Sequence, residues 1–298
     1  MIDLHASVAR QKTAALSVWQ GGRMRFTHGP QDYPYLCHSI RKSFLAALIG
    51  IEVEAGRIDL GASLQSLGID DNEGLSPIEL QATVYDLLCA RSGVYHPAGY
   101  ETEWMRMIKE KRHSHAPGTF WCYNNWDFNA LGTIYTQATG HSVAEGFERH
   151  LARPLGMDFT PDQAWLEHFT ESRHPAYPFK LSSRDLHLFL QLYLQGGEWQ
   201  GQQILPKGWT RLCTLRNSEA GHQGAYGYMW WLEREGCGLP HVILPKDSYY
   251  ALGAGGHYGL VMPSLEAIVV HRVDTEAEEV VTRFEFGRLL ADILQTLE

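Results

Sequence analysis

The chain of 298 residues contains no run approaching the roughly 20 consecutive apolar residues that a membrane-spanning helix needs. Its opening segment, Met1-Ile-Asp-Leu-His-Ala-Ser-Val-Ala-Arg10, lacks a basic stretch followed by an apolar one. The expectation is therefore a protein without a secretory leader that works in the cytoplasm. Cysteines are few and scattered: Cys37, Cys89, Cys122, Cys213 and Cys237 are an odd number with no Cys-x-x-Cys pair, which argues against a disulfide framework or a zinc site. Basic residues are in deficit. Lys plus Arg (25) against Asp plus Glu (34) gives a formal charge of −9, a poor match to a phosphate backbone. No Gly-x-Ser-x-Gly elbow, P-loop or dinucleotide fingerprint is present. Fifteen histidines occur without a His-Glu-x-x-His pattern, and His113-Ser-His115 beside Lys109-Glu-Lys-Arg112 reads as a solvated helix end. No metal and no cofactor is expected.

What is present is an ordinary globular composition, 44% apolar and 20% charged, long enough for one large domain or two lobes sharing a core. Two β-like runs, Ala14 to Gln20 and Arg23 to His28, flank Gly21-Gly22, whose tolerance of positive φ suits a tight hairpin turn. From Ser39 the period becomes helical through Ile40, Phe44, Leu45, Leu48 and Ile49 and stops at Gly56. Apolar residues fill the other faces too, so this helix is expected to be buried. Short helical patterns then follow one another, over Thr83 to Ala90, Glu101 to Lys111, Asn125 to Thr139 and Ser142 to Ala152, with little strand-like alternation. Ser182-Ser183-Arg-Asp185 looks like a helix start before Leu186 to Leu194. Strands are expected over Tyr226 to Leu232, Tyr249 to Gly253, Tyr258 to Met262 and Ala267 to Val273, with a turn at Pro263-Ser264. An amphipathic helix through Phe286, Leu289, Leu290, Ile293 and Leu294 closes the chain. Residues 1–60 and 180–298 would thus form an α/β lobe and 61–179 a mostly helical lobe, meeting at an interface of the sort ligands favour.

Three segments could carry chemistry. In Ser39-Ile-Arg-Lys42 helical spacing puts the hydroxyl and the amine on one face. A lysine in a dry pocket loses its charge more readily and can act as a base, and a helix start favours developing negative charge. Ser-x-x-Lys alone is weak, since it arises by chance roughly once per few hundred residues. Tyr123-Asn124-Asn125 is the second segment. A phenol near an ammonium can lose its proton more readily and relay protons, and an amide can bind a carbonyl; a capping Asn beside a partly buried Tyr is the plainer reading. The third is Gly253-Ala-Gly-Gly-His257, where glycines in a strand mark a close approach and free N–H groups could complete an oxyanion hole, or simply a bulge. Cys37 is read as a packed thiol. Tyr95, Trp104, Trp121, Trp126, Trp230 and Trp231 are candidates for a pocket wall, although core packing accounts for most of them.

In this order and with these gaps, the three segments resemble the β-lactamase-like serine hydrolases, the superfamily of class C β-lactamases, D-Ala-D-Ala carboxypeptidases, family VIII carboxylesterases and 6-aminohexanoate-dimer hydrolases. Cys37-His-Ser-Ile-Arg-Lys-Ser-Phe44 is similar to its active-site helix, and Asp86-Leu-Leu-Cys-Ala-Arg-Ser-Gly93 to its His-Leu-Leu-Thr-His-Thr-Ser-Gly segment. Leu181-Ser-Ser-Arg-Asp-Leu186, Tyr193-Leu-Gln-Gly-Gly197, Ile204-Leu-Pro206 and Tyr226-Gly-Tyr-Met-Trp-Trp231 (resembling a strand ahead of the third motif) extend the likeness to roughly Ala14 through Leu297. The resemblance implies one catalytic domain over 1–298, an α/β (α+β) fold with an antiparallel sheet flanked by helices plus a helical lobe. It implies Ser39 as the acylated nucleophile, Lys42 as base, Tyr123 as proton relay and Asn125 as a substrate-orienting amide. The N–H groups of Ser39 and Ala254 would form the oxyanion hole, with Gly253 and His257 at the substrate.

One departure narrows the reading. Where many members carry Lys-Thr-Gly or His-Thr-Gly, this chain has Ala251-Leu252-Gly253, so the cation that grips a substrate carboxylate is missing. The Gly-x-Gly-Gly-Gln pattern of the esterase and nylon-hydrolase branches is closer, with His257 in place of Gln. An esterase or amidase acting on a small acyl substrate is therefore expected, ahead of a β-lactamase or D-peptidase. A third alternative is a binding protein that keeps the fold without turnover.

Overall fold

The computed structural model describes residues 2–297. Eight antiparallel strands form one sheet, and the chain assembles it from both ends. In spatial order they are Arg23–His28, Ala15–Gln20, Ala267–Arg272, His257–Met262, Tyr249–Gly253, Trp231–Leu232, Ala225–Tyr226 and Ser218–Glu219. The first hairpin turns at Gly21 and Gly22, with φ of 54° and 78°, the mirror-image turn geometry that glycine permits. Ala267–Arg272 and His257–Met262 are buried at every position, as central strands covered on both faces should be. The Ser183–Leu194 helix, capped by Ser182 Oγ accepting from Asp185 N, packs across these central strands. The closing Arg283–Leu294 helix starts with a reciprocal Thr282–Glu285 capping box and stacks Phe286 on Tyr258. A short Leu4–Val8 helix, which the periodicity does not foreshadow, docks on it through Ser7 and Asp292.

The helix that begins near Ser39 is apolar on most faces and is buried accordingly. A 3-10 turn, His38–Ile40, leads into Arg41–Glu54, of which residues 41–50 are all buried. Gly50 lets the Trp209 indole lie flat against the helix, where its Nε1 donates to Ala46 O at 3.0 Å. Residues 61–179 alternate short helices with loops, and Asn125–Thr139 is the longest helix there. That segment also holds a small hairpin, Glu167–Phe169 with Ser172–Ala176, whose residues, Glu-His-Phe and Ser-Arg-His-Pro-Ala, include too few apolar side chains to mark an alternation. One apolar cluster runs through the sheet, the Arg41–Glu54 helix and the Asn125–Thr139 helix.

The expected strand Tyr226 to Leu232 is a correction. It is two short strands, Ala225–Tyr226 and Trp231–Leu232, folded on each other through a tight turn. Met229 takes φ 58° there, its N–H donates to Leu88 O, and its carbonyl accepts from Ser43 Oγ. Bonding to the helical elements thus takes residues 227–230 out of the sheet, an outcome set by tertiary partners and invisible to alternation.

Candidate active site

Lys42, the second residue of the Arg41–Glu54 helix, aims its amine back toward the 3-10 turn. Its Nζ lies 2.6 Å from Ser39 Oγ and 3.0 Å from Tyr123 Oη. The Tyr123 and Phe128 rings stand 4.7 and 4.8 Å from the same nitrogen. Lys42 is 1% exposed, and no carboxylate is paired with it among the described residues. Burial and the nearby Arg41 guanidinium hold the amine well below the usual lysine range, so the neutral, proton-accepting form is favoured. Burial pushes the Tyr123 phenol up to about 12, so it keeps its proton. With the amine neutral, desolvation outweighs the pull that an ammonium would exert on the phenol proton.

The nucleophile sits on a constrained turn. His38, directly before Ser39, has φ 48°, a left-handed conformation that side chains rarely adopt. Two contacts fix it: His38 Nε2 is 2.8 Å from Thr275 Oγ1, and Arg41 Nη1 donates to His38 O at 3.2 Å. Against this turn comes the end of strand Tyr249–Gly253. A Cβ on Gly253 would stand 2.6 Å from Cys37 O and 3.3 Å from His38 Cβ, so only glycine lets the strand come this close. The run Gly253 to His257 is thereby a hairpin turn, with φ of 83° at Gly255 and 103° at Gly256, and Ala254 follows the contact with the nucleophile turn directly.

Above Ser39 opens a cavity of about 350 Å³. Its walls are mainly apolar or backbone, from Tyr123, Trp231, Leu252, Gly253 to Gly256, Trp104, Met105 and Val281, with Thr102, Gln223 and Arg283 adding polar atoms. Trp104, 40% exposed, also borders a second basin that contains Trp121, so these two indoles and Trp231 are wall residues. Trp126 and Trp230 are core, as is Tyr95.

The structure therefore brings Ser39, Lys42, Tyr123, Gly253 and Ala254 to one place. Asn125 and His257 are fully buried beside this place and do not line the cavity. Asn125 is fully buried at the helix start, and its Nδ2 donates to Tyr100 O at 2.6 Å and Gly99 O at 3.3 Å, tying down the loop that leads to Thr102 and the Glu103–Ile108 helix bearing Trp104. Asn124 is the capping residue, accepting from Trp126 N. The His257 ring is fully buried, and its Nδ1 accepts from Arg272 Nε at 3.0 Å. Sequence reasoning passed over His38, Arg41 and Thr102. The Arg between Ser39 and Lys42 was a visible signal, because a charged residue within a buried helix calls for explanation.

A serine at a cavity floor, with a buried lysine and tyrosine beneath it and a large antiparallel sheet alongside, defines the class of penicillin-recognising serine hydrolases. The chain belongs to the β-lactamase family, whose model matches residues 5–287. Solved structures agree in fold. A protein from Bacillus anthracis described as a 6-aminohexanoate-dimer hydrolase superposes with a TM-score of 0.74 at 21% identity, covering 99% of this chain and 82% of the other. A penicillin-binding protein from Bacillus halodurans gives 0.73 at 16%, covering 99% and 100%, and the hydrolase EstCE1 gives 0.69 at 14%, covering 98% and 97%. Among the described residues no group of His, Cys, Asp and Glu could hold a metal ion, and no helix is long and apolar enough to cross a membrane.

Proposed function

We propose that this member of the family hydrolyses a small ester or amide through an acyl-enzyme on Ser39. The observation that carries the proposal is the position of Lys42 Nζ, within 3.0 Å of both Ser39 Oγ and Tyr123 Oη at the floor of the cavity. Neutral Lys42 takes the Ser39 proton as Oγ attacks the carbonyl carbon. The N–H groups of Ser39 and Ala254 receive the developing oxyanion. Lys42 passes its proton to Tyr123 as the phenol gives its own to the departing oxygen or nitrogen. Water then attacks the acyl-enzyme, losing a proton to the same pair, and the acid leaves with Ser39 restored.

Ala251 is buried and Leu252 faces the cavity where relatives place a cation and a hydroxyl, which favours an apolar acyl group over a β-lactam or a D-peptide carboxylate. Gly253 supports the hole by its close approach; Asn125 and His257 support the loop and the turn from behind. We further propose that segments 1–60 and 180–298 and segment 61–179 act as two lobes of one catalytic domain. The partner is a small molecule, the charge of −9 being ill suited to nucleic acid. The cytoplasm is the proposed compartment, in keeping with five free thiols, four of them buried. The test is a panel of p-nitrophenyl esters and linear amides run beside a chromogenic cephalosporin. Ester turnover that exceeds cephalosporin turnover and vanishes in Ser39→Ala is expected. Cephalosporin turnover equal to the best ester would favour a lactamase, and an inactive panel with tight binding of one member would favour a binding protein.

A further inference from the structure

The turn that carries Ala254 contains two adjacent glycines at positive φ, Gly255 and Gly256, and glycine holds no one conformation by itself. An oxyanion donor has to be fixed before the reaction begins, because its worth lies in needing no reorganisation. The hold must therefore come from outside the turn. At the strand end it is the pairing of Gly253 with His257 and the close approach of Gly253 to Cys37 O. At the tip two successive carbonyls are taken. Gly255 O accepts from Val281 N at 2.9 Å, and Gly256 O lies 2.6 Å from His271 Nδ1.

His271 stands on the central strand Ala267–Arg272, fully buried, with its ring 5.0 Å from that of Phe286. Burial holds the imidazole down to about 4, so at ordinary pH it is neutral and has a single N–H. A carbonyl can only accept, so the short contact to Gly256 O puts that proton on Nδ1. Nε2 is then an acceptor, and the Thr13 hydroxyl donates to it at 2.8 Å. Thr13 Oγ1 in turn accepts from Gln11 Nε2 at 3.2 Å. The hydrogen bonds all run one way, from the segment ahead of the first strand to the turn beside the nucleophile. We propose that His271 is a positioning residue for acyl transfer: its Nδ1–H, oriented by Thr13, fixes the Gly256 carbonyl and with it the glycine turn that presents the Ala254 N–H to the oxyanion. His271 does not line the cavity, so it acts through the turn alone.

The inference rests on the reading of Ala254 as an oxyanion donor to an acyl-enzyme on Ser39. Its test compares His271→Leu, which removes the donor to Gly256 O, with His271→Asn, whose Nδ2 can take the place of Nδ1. In His271→Leu, kcat for a p-nitrophenyl ester should fall about 10–100-fold with KM nearly unchanged, as a donor displaced by less than 1 Å would dictate. Affinity for a boronic acid, whose adduct on Ser39 mimics the tetrahedral intermediate, should fall with it. Both should recover to within about threefold of wild type in His271→Asn. A role in packing alone predicts a lowered melting temperature with kcat and boronic acid affinity preserved, or a loss in His271→Asn as deep as in His271→Leu. Either result overturns the inference. A second measurement needs no variant to fold. In the ¹⁵N imidazole spectrum of the wild type at about pH 7, the ring next to Phe286 should carry its proton on Nδ1; a proton on Nε2 alone overturns the inference. If the wild type hydrolyses no ester, the proposed function fails, while that spectrum still decides whether His271 holds the Gly256 carbonyl.

Discussion

Gly253→Ala tests whether the site is built by close approach of the strand end to the nucleophile turn. Gly253 has an ordinary φ, so alanine brings no backbone strain and the effect is one of space. The added methyl carbon would stand 2.6 Å from Cys37 O, 3.0 Å from His257 Cβ and 3.3 Å from His38 Cβ. The first contact is about 0.8 Å short of ordinary van der Waals distance. It meets backbone, which cannot rotate away, so the strand end and the turn must separate. Overpacking of this kind costs about 1–3 kcal/mol, a fall in melting temperature of about 3 °C for the middle of that range in a chain of 298 residues. A misplacement approaching 1 Å in the Ala254 donor should lower kcat by about 100-fold. Thermal melts and ester kinetics on the same preparation separate the two effects. Gly61→Ala is the control, because its nearest neighbour would lie 3.5 Å away, and both readouts should stay near wild type. A Gly253→Ala protein that is destabilised yet retains kcat within twofold would refute the claim that this approach places the donor.

Tyr123→Phe keeps the ring packing and removes the proton relay, so kcat should fall by about 10²–10⁴-fold, measured with esters of differing leaving-group basicity. A poor leaving group should suffer most. Trp104→Ala, at the mouth of the cavity, should raise KM about tenfold for a long apolar acyl ester and leave kcat nearly unchanged, as read from steady-state kinetics. Stability should also depend on pH through histidines that are buried or half-buried. His38, His187 and His271 are lowered from 6.5 to about 4 by burial. The unfolded chain takes up their protons as pH falls through 6.5, whereas the fold resists until about 4. Stability is therefore full above that window and declines within it, by about 1.4 kcal/mol per pH unit for each such histidine. Denaturant midpoints at pH 7, 6 and 5 check this, and a flat profile would contradict it.

Ser39 and Lys42 were legible because three-residue spacing on a helix is enough to make two side chains meet, and Gly21-Gly22 because a two-residue turn demands positive φ. Gly253 announced a close approach, but not what it approaches. The parts that were not legible share a cause. Asn125 and His257 sit at motif positions, yet whether such a side chain faces a cavity or its neighbours depends on residues far away in the chain, here Gly99, Tyr100 and Arg272. The break at Met229 depends on Leu88 and Ser43 in the same way. Arg41 was readable as an anomaly, a charge in a buried helix, but the Tyr100 and Tyr177 rings that flank its guanidinium are three-dimensional facts.

The most direct test of the central claim is intact-mass analysis after exposure to a fluorophosphonate or a p-nitrophenyl ester, with peptide mapping of the product. One adduct per chain on Ser39 is expected, absent in Ser39→Ala and formed at least 1,000-fold more slowly, on the order of the loss seen when a catalytic base is removed, in Lys42→Met. Labelling that persists unchanged in Ser39→Ala, or an adduct mapped to another residue, would contradict the account.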